Sequence, residues 1–495
     1  MTDLLPDTDS STLDAVLSAA ADAAAPLADT PPQVRAAALR AVADALDDTS
    51  DELVELAAAE TLLTRPRLVG EVARTTGQLR MFAGGLEEGS WLDATIDTAD
   101  AEATPVPRPD LRRVKVAVGP VLVFAASNFP FAFSVAGGDT ASALAAGCPV
   151  VVKAHPGHPR TSDRTAEVVS DALARHGLPA GSFALIHGVD AGLDALRDPR
   201  IAAGSFTGSV HGGRALWDIA ACREVPIPFF AEMGSLNPVF VTPGAVAARG
   251  QEIAEGYVGS FMLGVGQFCT KPGLLFLPKG HGLTETMVEA VRAAAPGRML
   301  MERIHTGHQQ VRETLLGHPG IEVLVEGEIG SGDGATAAGT LLATDVPTLL
   351  ENSDALLNEC FGPTSIIVEY DGNEQIIQGA HAFSGNLTGT VHGEDGEEQI
   401  SGPILRTLRD RVGRLVWNGW PTGVAVCWAM HHGGPYPATT ASEHTSVGMT
   451  AIRRFLRPVS FQGVPQEMLP EVLRDRNTLG VPRRINGRLT TEHAS

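Results

Sequence analysis

The chain opens with apolar residues at three- and four-residue spacing. Across residues 11–90, stretches such as VRAAALRAVADALDD and ELVELAAAETLL put Ala, Leu and Val on one stripe and charge on the other. That period predicts amphipathic helices. The period is lost over residues 91–115, where TPVPRPDLRRVKV predicts extended chain leaving the helical region. From 116 to 242 short apolar runs alternate with helical patterns. VAVGPVLVFAA, PVVVKA, FALIHG, PIPFFAEM and PVFVT read as strands; DTASALAAG, TSDRTAEVVSDALARHG and GGRALWDIAACR read as helices. Such alternation predicts a parallel sheet wound on both faces, with ligands at the carboxyl ends of its strands. Residues 244–460 repeat a looser version, with GLLFLP, IEVLVEG, TSIIVEY and LTGTVHG as strands. The fold class expected is therefore α/β, with two doubly wound domains. The Arg-rich tail, LRDRNTLGVPRRINGRLTTEHAS, is suited to adding a strand to a partner.

A length of 495 residues exceeds what one hydrophobic core serves, which agrees with more than one domain. The formal net charge is −21, and a surface this acidic repels phosphate backbones and anionic membranes. The uncharged stretch 116–138 is long enough to span a bilayer, but Pro120, Pro130, several glycines and Asn128 interrupt it. A strand, a turn and a helix start fit it better. The five cysteines are odd in number and widely spaced, with no C-x-x-C, so neither a disulfide framework nor a zinc ribbon is expected, and no metal site. MTDLLPDTDSS lacks the basic start of a signal peptide, so a reduced, cytoplasmic protein is expected.

Chemistry concentrates in a few places. Cys269 lies in GVGQFCTKPG, where flanking glycines let backbone N–H groups approach a substrate oxygen, so a nucleophile is indicated over a packed core thiol. Glu232 stands 37 residues earlier, at the end of an apolar run, and is expected to have a raised pKa and act as a base. Asn128 in AASNFPF offers an amide to an oxyanion. Phe129, Phe131, Phe133 and Phe268 lie close to these residues in sequence; alternate side chains facing one way would wall a tunnel. Lysines occur only at 115, 153, 271 and 279, so Lys153 at a strand end is a marked choice.

Seven stretches, SNFPF, VVKAHPGHP, GLPAG, FTGSVHGG, AEMGSLNP, GQFCTKPG and NECFGP, occur in the order and spacing of the aldehyde dehydrogenase superfamily over roughly residues 20–490. GNLTGTV, GWPTGVAV and HHGGPYPATTASEHTSVG, followed by AIRRFLRPVSFQ, resemble the branch of NADP-linked members acting on 2-oxoglutarate semialdehyde. The resemblance implies a dinucleotide-binding domain over 1–98 and 117–233, a catalytic domain over 234–455, and oligomerisation segments at 99–116 and 456–495 that build a homodimer or homotetramer.

It also implies roles. The Cys269 thiolate attacks a small-molecule aldehyde, Asn128 and the Cys269 N–H hold the oxyanion, hydride leaves for the nicotinamide, and Glu232 activates water to release the acid. Gly208, Ser209 and Pro156 line the cofactor, with Ser209 at the pyrophosphate; Lys153 meets the adenosine ribose, Glu359 the nicotinamide ribose, and Phe361 and Phe129 the ring side. The absence of G-x-G-x-x-G after a strand suits this family. No acid follows Lys153 until Asp163, while His155, His158 and Arg160 offer positive charge, so NADP is expected over NAD, with NAD possible. Phe129, Phe133, Phe268 and Thr270 are the expected substrate walls.

The substrate expected is 2-oxoglutarate semialdehyde, with long-chain aliphatic aldehydes as the alternative. A clamp for a distal carboxylate cannot be located in the sequence; His431 and His432 are better read as loop residues. A cofactor-free cysteine acyltransferase or hydrolase is the remoter alternative. It needs a histidine beside the nucleophile, and none flanks Cys269 in sequence.

Overall fold

The computed structural model describes residues 6–330 and 335–494. The opening MTDLL of the segment read as lacking a targeting signal lies outside the described residues. Four helices, Ser10–Asp29, Pro32–Asp48, Ser50–Thr61 and Arg65–Glu88, occupy the expected helical region. The first is capped by Asp9, whose carboxylate accepts the N–H groups of Ser11 and Thr12.

A five-stranded sheet follows, in the order Phe183–Ile186, Val150–Lys153, Val121–Phe124, Ala203–Thr207, Phe229–Glu232. Every neighbouring pair is parallel. The two-residue alternation of these strands feeds two separate cores. Val121, Val123, Val150 and Val152 share one core with residues of all four N-terminal helices. Leu122, Phe124, Val151 and Ile186 pack on the opposite side with Leu13, Leu17 and the helices Val189–Arg197 and Val210–Ala221. Burial on both faces explains why these runs are short and uniformly apolar.

A seven-stranded sheet runs Glu322–Val325, Thr340–Asp345, Thr364–Tyr370, Leu274–Pro278, Val239–Val241, Asn386–His392, Val412–Trp417. Its neighbours are parallel except at the Glu322–Val325 edge, which is antiparallel. It too divides its residues between two cores: Phe240, Phe276 and Val368 on one side, Val239, Leu275 and Ile367 on the other. The expected strands are all present.

A third sheet joins distant parts of the chain, in the order Leu456–Gln462, Leu111–Ala117, Thr95–Asp97, Arg483–Ile485, Arg488–Thr490. The Arg-rich tail thus pairs with Thr95–Asp97 of its own chain. Arg483, fully buried, is held by the carbonyls of Val472, Arg474, Asp475 and Glu492. The uncharged segment after 116 is the end of one strand, the strand Val121–Phe124, a turn, and the start of the helix Gly138–Ala146. Among the described residues no helix is long and apolar enough to cross a membrane.

Candidate active site

Two strands of the five-stranded sheet end at expected site residues, and the two strands between them lead into others. Lys153 and Phe124 are paired in register, and Thr207 pairs with Glu232. The chain beyond Phe124 reaches Asn128, and beyond Thr207 it reaches Gly208 and Ser209. These carboxyl ends form one rim, as a doubly wound sheet dictates. The second sheet meets that rim from the other direction. Cys269 precedes the strand Leu274–Pro278 and Glu359 precedes Thr364–Tyr370, so both sit at amino ends. The carboxyl-end expectation therefore holds for the first sheet and not for the second.

Two buried asparagines fix how the sheets join. The segment 233–238 links Glu232 to the second sheet. Asn237, at φ 50°, donates through Nδ2 to the carbonyls of Cys269 (2.8 Å) and Lys271 (3.0 Å). Its Oδ1 accepts from Thr388 and from Ser235. Asn386 Oδ1 accepts the N–H of Leu236 at 2.7 Å. Ahead of Cys269 the backbone is left-handed at Gly264, Val265 and Gly266. A Cβ on Gly266 would lie 2.1 Å from the Gly362 carbonyl, so glycine lets the Cys269 loop touch the NECFGP loop. Val265, β-branched at φ 60°, is a strained residue beside the nucleophile.

The catalytic candidates converge. Cys269 Sγ lies 3.5 Å from His432 Nε2, and that nitrogen lies 3.0 Å from Glu232 Oε1. Glu232 is 3% exposed and His432 is 1% exposed, whereas Cys269 is half-buried. Ser446 Oγ donates to Glu232 Oε2. The donor atoms of Glu232, Cys269 and His432 all lie within 4.8 Å of one another, a spacing that a single metal ion could also bridge. Asn128 is 8% exposed, and its amide donates to the carbonyl of Gln267, two residues before Cys269. A small cavity behind Glu232 is lined by Thr207, His432, Thr439 and Ser446 among others. Phe206 and Phe230 line it too, and its hydroxyl groups suit a water molecule.

Electrostatics corrects one expectation. Burial alone would lift the Glu232 carboxyl, but His432, Ser446 and Cys269 together hold it below its ordinary value. The raised pKa inferred from its apolar strand ignored these partners, which come from distant sequence. Burial, then the neighbouring Glu232 charge, pushes the Cys269 thiol well above its ordinary range. Burial lifts Glu359 to about 7.

The aldehyde dehydrogenase family model matches residues 3–449. This chain belongs to the aldehyde dehydrogenase family. It is an oxidoreductase acting on aldehydes, from a family that uses NAD or NADP. It is 44% identical to the alpha-ketoglutaric semialdehyde dehydrogenase of Acinetobacter baylyi over 92% of this chain and 88% of that one. It is 46% identical to alpha-ketoglutaric semialdehyde dehydrogenase 2 of Azospirillum brasilense, with the same coverage of each. A solved lactaldehyde dehydrogenase superposes with a TM-score of 0.79 at 21% identity, covering 92% of both chains. The fold is that of the aldehyde dehydrogenases.

The residues expected at an aldehyde dehydrogenase cofactor fit a dinucleotide. Ser209 caps the helix Val210–Ala221, its Oγ accepting from Gly212 N, and both Ser209 and Gly208 are exposed, leaving that N-terminus open to a phosphate. Lys153 is half-buried, with no hydrogen bond or ion pair among the described residues. Glu359 is half-buried, and a Cβ on Gly234 would strike its Oε2 at 2.4 Å, so glycine keeps that carboxylate clear. Phe361 is half-buried and Pro156 exposed.

Other expectations need correction. His155 and His158 are 8% and 1% exposed, and burial lowers both below the ordinary histidine range. His158 bonds Ala126 O and Ser162 Oγ. They are neutral packing groups and bring no charge to the cofactor. Thr270 is 1% exposed, because the chain there turns inward to Lys271, whose buried ammonium bonds the carbonyls of Cys360 and Thr364. Phe131 joins the core, while Phe129, Phe133 and Phe268 interlock edge to face with centroids 5.4 Å apart. His432, read as loop, sits against the nucleophile. The fold brings a histidine 163 residues away in sequence to the nucleophile, so a cysteine–histidine contact exists without a local neighbour.

Proposed function

We propose that the enzyme oxidises 2-oxoglutarate semialdehyde to 2-oxoglutarate, with NADP as the preferred cofactor. The observation that carries this is the convergence of Cys269, His432 and Glu232 within 4.8 Å, in a chain 44% and 46% identical to two alpha-ketoglutaric semialdehyde dehydrogenases. The raised Cys269 thiol must lose its proton to react, and the His432–Glu232 pair is the acceptor within reach, with Nε2 at 3.5 Å and the Glu232 carboxylate hydrogen-bonded to the sulfur. The thiolate adds to the aldehyde carbon, and the Asn128 amide and Cys269 N–H steady the oxyanion. For this, Asn128 must exchange its bond to Gln267 O for the substrate oxygen. A dinucleotide held at this site would supply the hydride acceptor for passage from the Cys269 thiohemiacetal to its thioester. Glu232, ionised and beside a small cavity, takes a proton from the water that hydrolyses it.

Gly208 and Ser209 would hold the pyrophosphate, Lys153 the adenosine ribose and Glu359 the nicotinamide ribose, with Phe361, Phe129 and Pro156 as walls. NADP is proposed because no acid stands between Lys153 and Asp163 to repel a 2′-phosphate. Asp163, the first acid after Lys153, is engaged by His187 at 2.7 Å. We further propose that residues 1–98 and 117–233 act as the cofactor domain and 234–455 as the catalytic domain. In the same reading, the sheet built from 99–116 and 456–495 joins copies of the chain.

The test is a panel of aldehydes, 2-oxoglutarate semialdehyde, glutarate semialdehyde and medium-chain aliphatics, assayed with both cofactors. The expected result is the highest kcat/KM with 2-oxoglutarate semialdehyde and NADP. A dominant aliphatic activity would overturn the substrate, and a strong NAD preference the cofactor.

A further inference from the structure

One cation beside the nucleophile has no assigned partner. The helix Arg65–Glu88 carries Arg67, Glu71 and Arg74 at positions i, i+4 and i+7, on one face. Glu71 is buried and accepts the N–H groups of Phe131 (2.8 Å) and Ala132 (3.0 Å), which pins the SNFPF turn. Arg67 donates to the Asn128 carbonyl at 2.6 Å, its guanidinium lying 5.1 Å from the Phe129 ring and 4.9 Å from the Phe268 ring. Arg74 lies two turns further along, 5.2 Å from the Phe133 ring. Phe133 meets Phe129 and Phe129 meets Phe268, each edge to face at 5.4 Å, and Phe268 is bonded to Cys269. An aromatic row therefore runs from Arg74 to the nucleophile.

Three guanidinium groups border this region, and two are engaged. Arg67 holds Asn128 O, and Arg414 donates to the carbonyls of Gly423 and Pro421. Arg74 makes no hydrogen bond or ion pair among the described residues, although it is half-buried and feels the Glu71 carboxylate first, then Cys269 and Glu232. An unpaired cation in a partly dry site is costly, and the ring of Phe133 covers only a face of the guanidinium. Its N–H edges remain open, a fork that matches a planar carboxylate. Glu71, the nearest acid on the helix, is committed to the backbone of the turn.

We propose that Arg74 binds the distal carboxylate of the substrate and so selects short acidic aldehydes over neutral ones of equal length. A five-carbon chain spans about 5 Å when extended, which suits one end on Cys269 and the other along the aromatic row. A neutral aldehyde leaves the guanidinium unpaired and is rejected for that reason. The proposal rests on the semialdehyde reading above and supplies the clamp that reading requires.

The experiment compares 2-oxoglutarate semialdehyde with pentanal, for wild type, Arg74→Leu and Arg74→Lys. Arg74→Leu is expected to lose about 100-fold in kcat/KM for the acid, mainly through KM, and to gain a few-fold for pentanal. Arg74→Lys is expected to keep part of the acid preference. If Arg74→Leu retains the wild-type ratio, the clamp is elsewhere while the substrate reading stands. Equal losses on both aldehydes would make Arg74 a thiolate-stabilising charge and overturn the proposal. Should wild type prefer pentanal, the substrate reading fails and this inference with it. Arg74→Gln reads the same ratio if Arg74→Leu does not fold, with NADP binding as the check on folding.

Discussion

His432 Nε2 lies 3.0 Å from Glu232 Oε1, so a carboxylate from one sheet and an imidazole from a distant loop face the nucleophile together. The loop is held by the His432 N–H bond to Thr445 and by Ser446, whose N–H donates to His432 O while its hydroxyl donates to Glu232. With burial and the Glu232 charge both opposing ionisation of Cys269, thiolate formation needs an acceptor. His432→Asn is therefore expected to slow the first-turnover burst of reduced cofactor by roughly 10²–10³-fold, the usual worth of a positioned base. Stopped-flow absorbance measures it; an unchanged burst would move the thiol proton to another acceptor.

Glu232→Gln should separate the two halves of the reaction. The burst is expected to persist and steady-state turnover to fall about 10²–10⁴-fold as thioester accumulates. Removing the negative charge also removes one of the causes that raise the thiol, so iodoacetamide should alkylate Cys269 faster at neutral pH in this variant than in wild type. Because Glu232 is held below its ordinary value, its base form persists as pH falls. Deacylation should weaken only below the ordinary carboxylate range, near pH 4.5.

Both doubly wound sheets were legible because their strands are buried on two faces and read as unbroken apolar runs, with turn residues between. Glu232 and Asn128 stood out as candidates because each follows such a run with glycine or proline two residues on, and Cys269 because glycine and proline flank it within three residues. His432 and Ser446 were not, since they enter from a loop far along the chain and carry no local pattern. Arg74 looked like one more polar position on an amphipathic helix. Its meaning appears only when Phe133 is seen against it and no carboxylate lies within ion-pairing distance among the described residues. The charge expected of His155 and His158 failed for the converse reason: polar letters beside prolines suggested a solvated loop, and tertiary packing buried them.

Glu359, lifted by burial to about 7, titrates across the physiological range. A carboxylate accepts hydrogen bonds from ribose hydroxyls better than a carboxylic acid does. Affinity for NAD, whose pyrophosphate keeps its charge across this range, should therefore be full above pH 7 and decline as pH falls through it, about tenfold weaker at pH 6 than at pH 8. Calorimetric titration across that range checks the slope. Glu359→Gln, which cannot titrate, should bind more weakly and with no such dependence. A pH-dependent Glu359→Gln would assign the titration to another group.

Asn237 is the remaining test, because it ties the nucleophile loop to the second sheet without touching any reacting atom. Its amide N–H groups serve the carbonyls of Cys269 and Lys271, and its oxygen accepts from Ser235 and Thr388, all in a fully buried setting. Asn237→Asp keeps the shape but replaces two donors by an acceptor facing two carbonyls. Leaving such groups unpaired costs about 1–3 kcal/mol each, so Tm should fall by several degrees. The cofactor rim, built from the other sheet, should be spared. NADP affinity is therefore expected to stay within about twofold, while the rate of Cys269 alkylation changes as its loop loosens. A variant with wild-type Tm and wild-type alkylation would mean the loop is held by Gly266 and Lys271 alone.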